Sequence, residues 1–209
     1  MHGQPGPKRR MSRQQRRVQL LEVARELIRA AGTEEFTLGR LAERAGVTKP
    51  VVYDHFGDKS GALAELYREF DVHQRETLAA ALQDAADDLS AVAHVVAAAY
   101  IDCCVAEGRE MADVVAALEG SPTLSRLRCE AEDAYLEVCR EALSRFCGPV
   151  NTAGLRAIIG AGDALVRDVL ADRITTTDAH ETLARVVAAV ATYPANDPAK
   201  NPANQEDRR

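Results

Sequence analysis

An all-α fold is predicted for this chain, with an N-terminal three-helix helix-turn-helix module ahead of a larger helical body. Three observations predict it. Ala, Leu, Glu and Arg dominate the 209 residues, and all four favour helix. Apolar residues recur at helical spacing along most of the length. No segment sustains the alternation of β-branched residues that a half-buried strand needs.

The elements follow in order. Residues 1–12 open with Pro and Gly and turn basic, and read as a flexible arm. Residues 13–31, "RQQRRVQLLEVARELIRAA", place Leu20, Val23, Ala24, Leu27 and Ile28 on one stripe, and Gly32 ends the helix. A short helix is predicted over Leu38–Arg44, with Thr37 as N-cap and Phe36 stapled onto Leu41. Gly46 then breaks the chain. Thr48 is read as the next N-cap, with Val47 and Val52 in staple positions and Pro50 in the first turn, where its missing N–H costs little. Gly57 stops this helix near Phe56, and Asp58 is placed to cap the one after it. Two helices this short do not stand alone; they need their neighbours, which is the tri-helical helix-turn-helix arrangement.

Further helices are predicted near 58–84, 88–107, 109–119, 122–147, 151–172 and 177–193. Ser121 and Pro122 form an N-cap and N1 pair, Gly148-Pro149 a stop, and Asp178 with Glu181 a capping box beside Thr177. Residues 13–60 thus form the N-terminal module and 61–193 the body, and 194–209 read as a disordered tail.

Charge divides the same way. The net charge is −6, yet residues 1–60 hold 12 Lys/Arg against 7 Asp/Glu, while residues 61–209 hold 14 against 25. A basic quarter on an acidic body points to a polyanion partner for the module. The five cysteines, Cys103, Cys104, Cys129, Cys139 and Cys147, are odd in number and none sits in a CxxC. With a polar start and no apolar run read as long enough to cross a bilayer, the expectation is a cytoplasmic chain with reduced thiols and no membrane partner.

The segment "AGVTKPVVYDHFGDKSGAL", Ala45–Leu63, carries the chemistry of the module. A helix entering the major groove needs compact side chains at its entry end and phosphate anchors on its flanks. Thr48 can bond a phosphate, Lys49 can reach a phosphate or a guanine edge, and Pro50 and Val51 can touch a thymine methyl. Tyr53 and His55 suit backbone contact, and Lys59 begins the next helix, where phosphate is favoured. Val52 and Phe56 face inward. Each residue has a plainer reading as cap, rigid starter, half-core ring or solvated charge. Their concentration in the basic part of the chain favours double-stranded DNA.

The stretch Phe36 to Tyr67, "FTLGRLAERAGVTKPVVYDHFGDKSGALAELY", resembles the DNA-binding segment of the TetR family of bacterial regulators. Thr37, Leu41, Ala42, Ala45, Gly46, Val47, Thr48, Tyr53, Phe56 and Lys59 carry the resemblance, and Leu20 to Gly32 matches the family's first helix. It covers roughly residues 13–67. The resemblance implies that Thr37 approaches a phosphate, that Thr48, Lys49, Pro50 and Val51 face the groove, and that Tyr53, His55 and Lys59 hold the backbone. Lys8, Arg9, Arg10 and Arg13 would serve as a minor-groove or phosphate arm, or only as a solvated tail. Gly39 departs from good helix formers and is expected to let its helix sit close to a neighbour or to DNA.

The resemblance also implies a homodimer formed through the last two helices and a cavity for a small-molecule effector. Leu155, Ile158, Ile159, Gly162, Leu165, Val166 and Val169, with Leu183, Val186, Val187 and Val190, are the expected dimer face, although the same residues could bury within one chain. Gly160, Ala161, Gly162 and Ala164 permit close approach of helices. "LSAVAHVVAAAYIDCCVAEG" is apolar nearly all round and so central. Its His94, Tyr100, Asp102, Cys103 and Cys104 are cavity candidates or ordinary core, with Arg109, Met111, Arg126, Cys129 and Tyr135 behind them. Asp163 and Arg167, four apart, are expected to pair along the helix face.

No metal site is expected. Cys103 and Cys104 point about 100° apart on a helix, and Cys129 and Cys147 share a face about five turns apart. No phosphate loop, GxSxG or HExxH appears, so neither cofactor nor enzyme activity is expected. The leading expectation is a ligand-responsive repressor that binds a near-palindromic operator as a dimer. The alternative is a helical carrier or enzyme that keeps the module as scaffold. Activator and repressor are equal on the sequence.

Overall fold

The structure is a computed structural model and describes residues 11–192. Its eight helices are α1 (Arg13–Ala31), α2 (Leu38–Ala45), α3 (Lys49–Phe56), α4 (Lys59–Gln83), α5 (Leu89–Glu119), α6 (Pro122–Cys147), α7 (Thr152–Leu170) and α8 (Thr176–Thr192). No strand occurs among the described residues. Lys8, Arg9, Arg10 and the tail from 194 lie outside them. Two compact units divide within α4, one up to Leu66 and the other from Tyr67.

In the first unit α1 starts on a capping box: the Ser12 hydroxyl accepts from Gln15 N–H, and the Gln15 side chain accepts from Ser12 N–H. The sequence reading placed Ser12 in the arm. Thr37 caps α2 as expected, its hydroxyl accepting from Arg40 N–H at 3.2 Å. Gly46 closes α2 at φ 65, a left-handed conformation that a side chain would strain. Thr48 corrects an expectation. It takes the extended cap backbone ahead of α3, but its hydroxyl makes no cap bond. Asp58 does cap α4, accepting from Gly61 N–H at 2.8 Å.

Burial supplies what these short helices lack. Leu38, Leu41 and Ala42 of α2 and Val52 and Phe56 of α3 are buried with Leu20, Leu21, Ala24, Ile28 and Phe36. A fully buried Leu or Phe contributes roughly 1.5–3 kcal/mol, enough to fix eight-residue helices that would melt alone. The turn into α4 is tight. A Cβ at Gly61 would fall 1.9 Å from the Phe56 carbonyl oxygen.

In the second unit α5 is central, packing against α6, α7 and α8, while α7 and α8 pack on each other. Val92, Val96, Ile101, Tyr135, Cys139, Leu143, Leu155, Ile158, Leu183 and Val187 make its core. Gly108 interrupts α5 at φ 74, so α5 is two helices that meet at a kink, at the residue where the break was expected. Leu89–Leu118, with an 18-residue window of mean hydropathy 1.8, is long and apolar enough to cross a membrane by length and composition, against the expectation that no run is. It is the packed centre of this unit.

Two other caps differ from expectation. Ser121 precedes Pro122 at α6 but its hydroxyl makes no cap bond. The capping pair of α8 is Thr175 and Asp178, each side chain accepting from the other's backbone N–H, and not Asp178 with Glu181.

The expected dimer face is largely core. Leu155, Ile158, Leu183 and Val187 are fully buried within the single chain, and Ile159, Gly162 and Val166 are buried as well. Gly162 meets the Tyr100 ring of α5, with a Cβ there 2.5 Å from Tyr100 Cε1. Its smallness serves packing inside the chain. Leu165, Val169, Val186 and Val190 stay partly exposed.

Candidate nucleic-acid interface and ligand cavity

The N-terminal segment of α3 presents Thr48, Lys49 and Pro50 to solvent, and Tyr53 follows one turn on at 52% exposed. Spacing of three and four keeps Lys49, Pro50 and Tyr53 on one side, while Val52 and Phe56 fill the other and are buried. Val51, His55 and Lys59 are half-buried.

Gly39 has a local reason. A Cβ at that position would meet Lys49 Cε at 3.5 Å and both Lys49 Nζ and Thr37 Oγ1 at 3.8 Å. The bare backbone of α2 is therefore the bed on which the Lys49 chain lies, with its ammonium brought towards the exposed Thr37 hydroxyl. Of the two sequence alternatives for Gly39, the structure supplies the close neighbour.

The far end of α3 is gathered by α1. Arg13 donates to the Asp54 carbonyl at 3.3 Å and lies 3.8 Å from its carboxylate. Arg17 donates to the His55 carbonyl, pairs with Glu65 and lies over the Phe56 ring. Burial lowers the His55 pKa below its ordinary value. Arg13, Arg17 and Arg16 lower it further, against an opposing pull from Asp54.

The second unit encloses a cavity of about 160 Å3 between α4, α5, α6 and α7. Tyr67, Phe70, Tyr100 and Tyr135 give it aromatic walls, and Met111, Ile159, Val166 and Leu170 add aliphatic surface. One polar cluster faces it. Arg128 donates to Glu132 Oε1 and to Asp163 Oδ2, both at 2.7 Å. The Tyr100 hydroxyl donates to Asp163 Oδ1 at 2.7 Å. Asp163 therefore reaches across to α6 and α5, and the expected pair with Arg167 does not form. Gln74 Nε2 approaches Cys104 Sγ at 3.3 Å.

Four sequence candidates line this cavity: Tyr100, Cys104, Met111 and Tyr135. Six do not. His94 is exposed and bonds its own helix at the Ser90 carbonyl. Asp102 is exposed and pairs with His180 of α8 at 2.7 Å. Cys103 is buried away from the cavity. Arg109 donates to the Leu170 carbonyl at 2.7 Å. Arg126 and Cys129 face solvent.

The polar and aromatic wall residues that the sequence reading missed include Tyr67, Phe70, Asp71, Gln74, Arg128, Glu132 and Asp163. The Arg–Glu pair at i,i+4 on α6 was the available signal. Burial pushes the Cys103 thiol up to about 11 and Cys139 to about 12, with Cys104 raised too, so these thiols stay protonated. All five cysteines are free.

The described residues thus form a helix-turn-helix module and a helical body that holds a cavity. Residues 20–70 match the family described as bacterial regulatory proteins, tetR family. Over 60 residues it is 37% identical to the HTH-type transcriptional regulator AcrR of Shigella flexneri, covering 29% of this chain and 28% of that protein. The chain thus aligns with just over a quarter of that relative.

Solved structures agree on the fold over most of both chains. The fatty acid degradation regulator FadR of Bacillus halodurans superposes with a TM-score of 0.70 at 19% identity, over 89% of this chain and 97% of that one. FadR of Bacillus subtilis, solved with stearoyl-CoA, gives 0.69 at 18% identity, over 83% and 98%.

Proposed function

We propose that the chain is a DNA-binding transcriptional repressor that acts in the cytoplasm as a homodimer and leaves its operator when a small molecule fills the cavity. The observation that carries the DNA reading is the exposed start of α3, with Lys49 laid across Gly39 towards Thr37. Thr37 and Lys49 would hold phosphate, Thr48, Pro50 and Val51 would meet base edges, and Tyr53, His55 and Lys59 would grip the backbone on either side.

Arg13 is held at the C-terminal end of α3 and would extend that grip. Two heads reading a two-fold site need centres about 34–36 Å apart along the duplex. The outer faces of α7 and α8, where Leu165, Val169, Val186 and Val190 remain partly exposed, are the proposed contact between copies. The effector acts only if it binds the released state better than the operator-bound state.

Selection of bound fragments from random duplex DNA tests this reading. Enrichment of a near-palindrome with half-sites one helical turn apart supports it. Recovery of no enriched sequence favours a helical carrier that keeps the module as scaffold. Reporter output with and without the gene separates repressor from activator.

A further inference from the structure

The cavity wall has a charge preference. Four of the five aromatic rings in residues 67–192 stand on it, Phe146 being the exception. Among them lie three carboxylates, Asp71, Glu132 and Asp163, whose side chains are only 14%, 17% and 30% exposed. Two guanidiniums share the wall. Arg128 is committed to Glu132 and Asp163. Arg167 is exposed, so water screens its charge. Arg75 and Arg156, which pair with Asp71 and Glu132, do not line the cavity.

The hydrogen-bond inventory leans the same way. A carboxylate has about four acceptor sites. Asp163 gives one oxygen to Tyr100 and the other to Arg128, which leaves lone pairs on both. Donors are scarcer. Arg128 is engaged, Tyr100 is spent on Asp163, and Gln74 is turned to Cys104. The Tyr67 hydroxyl makes no hydrogen bond among the described residues. Its pKa is raised by burial first and then by Glu132, Asp71 and Asp163, against the opposing pull of Arg128. On the wall itself three carboxylates outnumber two guanidiniums, and Asp163 and Glu132 share one of them, Arg128.

We infer that the effector is a compact organic cation, a protonated amine or quaternary ammonium on an apolar body about the size of a substituted benzene ring, seated between the aromatic faces with its charge towards Asp163 and Glu132. This rests on the reading of the cavity as the effector site. Aromatic faces attract such cations through their quadrupoles. The volume sets the scale, since an apolar cavity of about 150 Å3 holds benzene. An anion would meet Asp163 and Glu132 with no uncommitted guanidinium inside.

Isothermal titration of the full-length protein with benzylamine, benzyl alcohol and benzoate tests charge at nearly constant shape. Benzylamine is expected to bind at least tenfold more tightly than the alcohol, with benzoate weakest. Ala112→Leu, which fills the cavity from α5, is expected to abolish all three. Glu132→Gln is expected to weaken benzylamine about tenfold and leave the alcohol unchanged. Benzyl alcohol or benzoate binding as well as benzylamine, with Ala112→Leu abolishing it, overturns the charge assignment and leaves the cavity as the effector site. Binding by none of the three, or binding untouched by Ala112→Leu, overturns both.

Discussion

Gly162 of α7 lies against the ring of Tyr100 on α5, close enough that a Cβ would sit 2.5 Å from Cε1 and 2.7 Å from Cδ1. The neighbouring residue, Asp163, takes the hydroxyl of the same ring at 2.7 Å. One tyrosine is thus fixed at its face by a missing side chain and at its tip by a carboxylate. Gly162→Ala should force the ring away and cost about 1–3 kcal/mol, as overpacking does. Tyr100→Phe keeps the packing and should cost only about 0.5–1.5 kcal/mol for the lost hydrogen bond. Urea unfolding of the two variants checks the order.

Lys49 and Thr37 converge beside Gly39. Lys49→Ala should weaken operator binding across all sequences and reduce the slope of log affinity against log salt by about 1. Fluorescence anisotropy over a salt series measures this. An unchanged slope would remove Lys49 from the phosphate contacts.

Two glycines of the first unit should respond oppositely to alanine. At Gly61 the obstacle is the Phe56 carbonyl oxygen, 1.9 Å from the new Cβ, and backbone cannot swing aside as a side-chain tip can. Gly61→Ala should cost at or above the upper end of the ~1–3 kcal/mol typical of overpacking. At Gly39 the nearest atom is 3.5 Å away. Gly39→Ala should therefore stabilise the helix by about 0.5–1 kcal/mol. Thermal midpoints of the two variants, moving in opposite directions, are the expected result.

His55 gives a pH dependence with two signs. Its folded pKa lies below 6.5, so the unfolded chain binds more protons in the window between the two values. Stability should rise with pH through that window and level off above it. A phosphate against the ring would favour its charged form, so operator binding takes up a proton and affinity should fall as pH rises through the same region. His55→Gln should flatten both curves through that window. Parallel urea and anisotropy titrations would show whether the slopes oppose.

The module was legible because its determinants are local. Caps at Thr37 and Asp58, the glycine turn at Gly46 and the burial of Val52 and Phe56 all follow from neighbours a few residues away. The cavity was half legible. Apolar surroundings singled out Tyr100, Cys104, Met111 and Tyr135 on α5 and α6. Tyr67 and Phe70 sit at the end of residues 20–70, which match a DNA-binding family, and that hid their role in the body. Asp163 shows the limit most clearly. A local partner, Arg167, stood four residues away, but Arg128, 35 positions distant, is the cation that Asp163 shares with Glu132. The apolar faces of α7 and α8 were ambiguous for a related reason. A 3.6-residue stripe says that a face is covered, and α5 of the same chain covers it as well as another copy would.

Cys129 of α6 faces solvent beside Arg128, while Cys103 and Cys139 are buried, Cys104 is shielded, and Cys147 points its thiol at the Leu143 carbonyl. The wild-type chain therefore offers a maleimide dye one preferred anchor, next to the ion-pair cluster of the cavity wall. A fluorophore placed there would report occupancy by its change in emission, with no engineered residue between the measurement and the native protein.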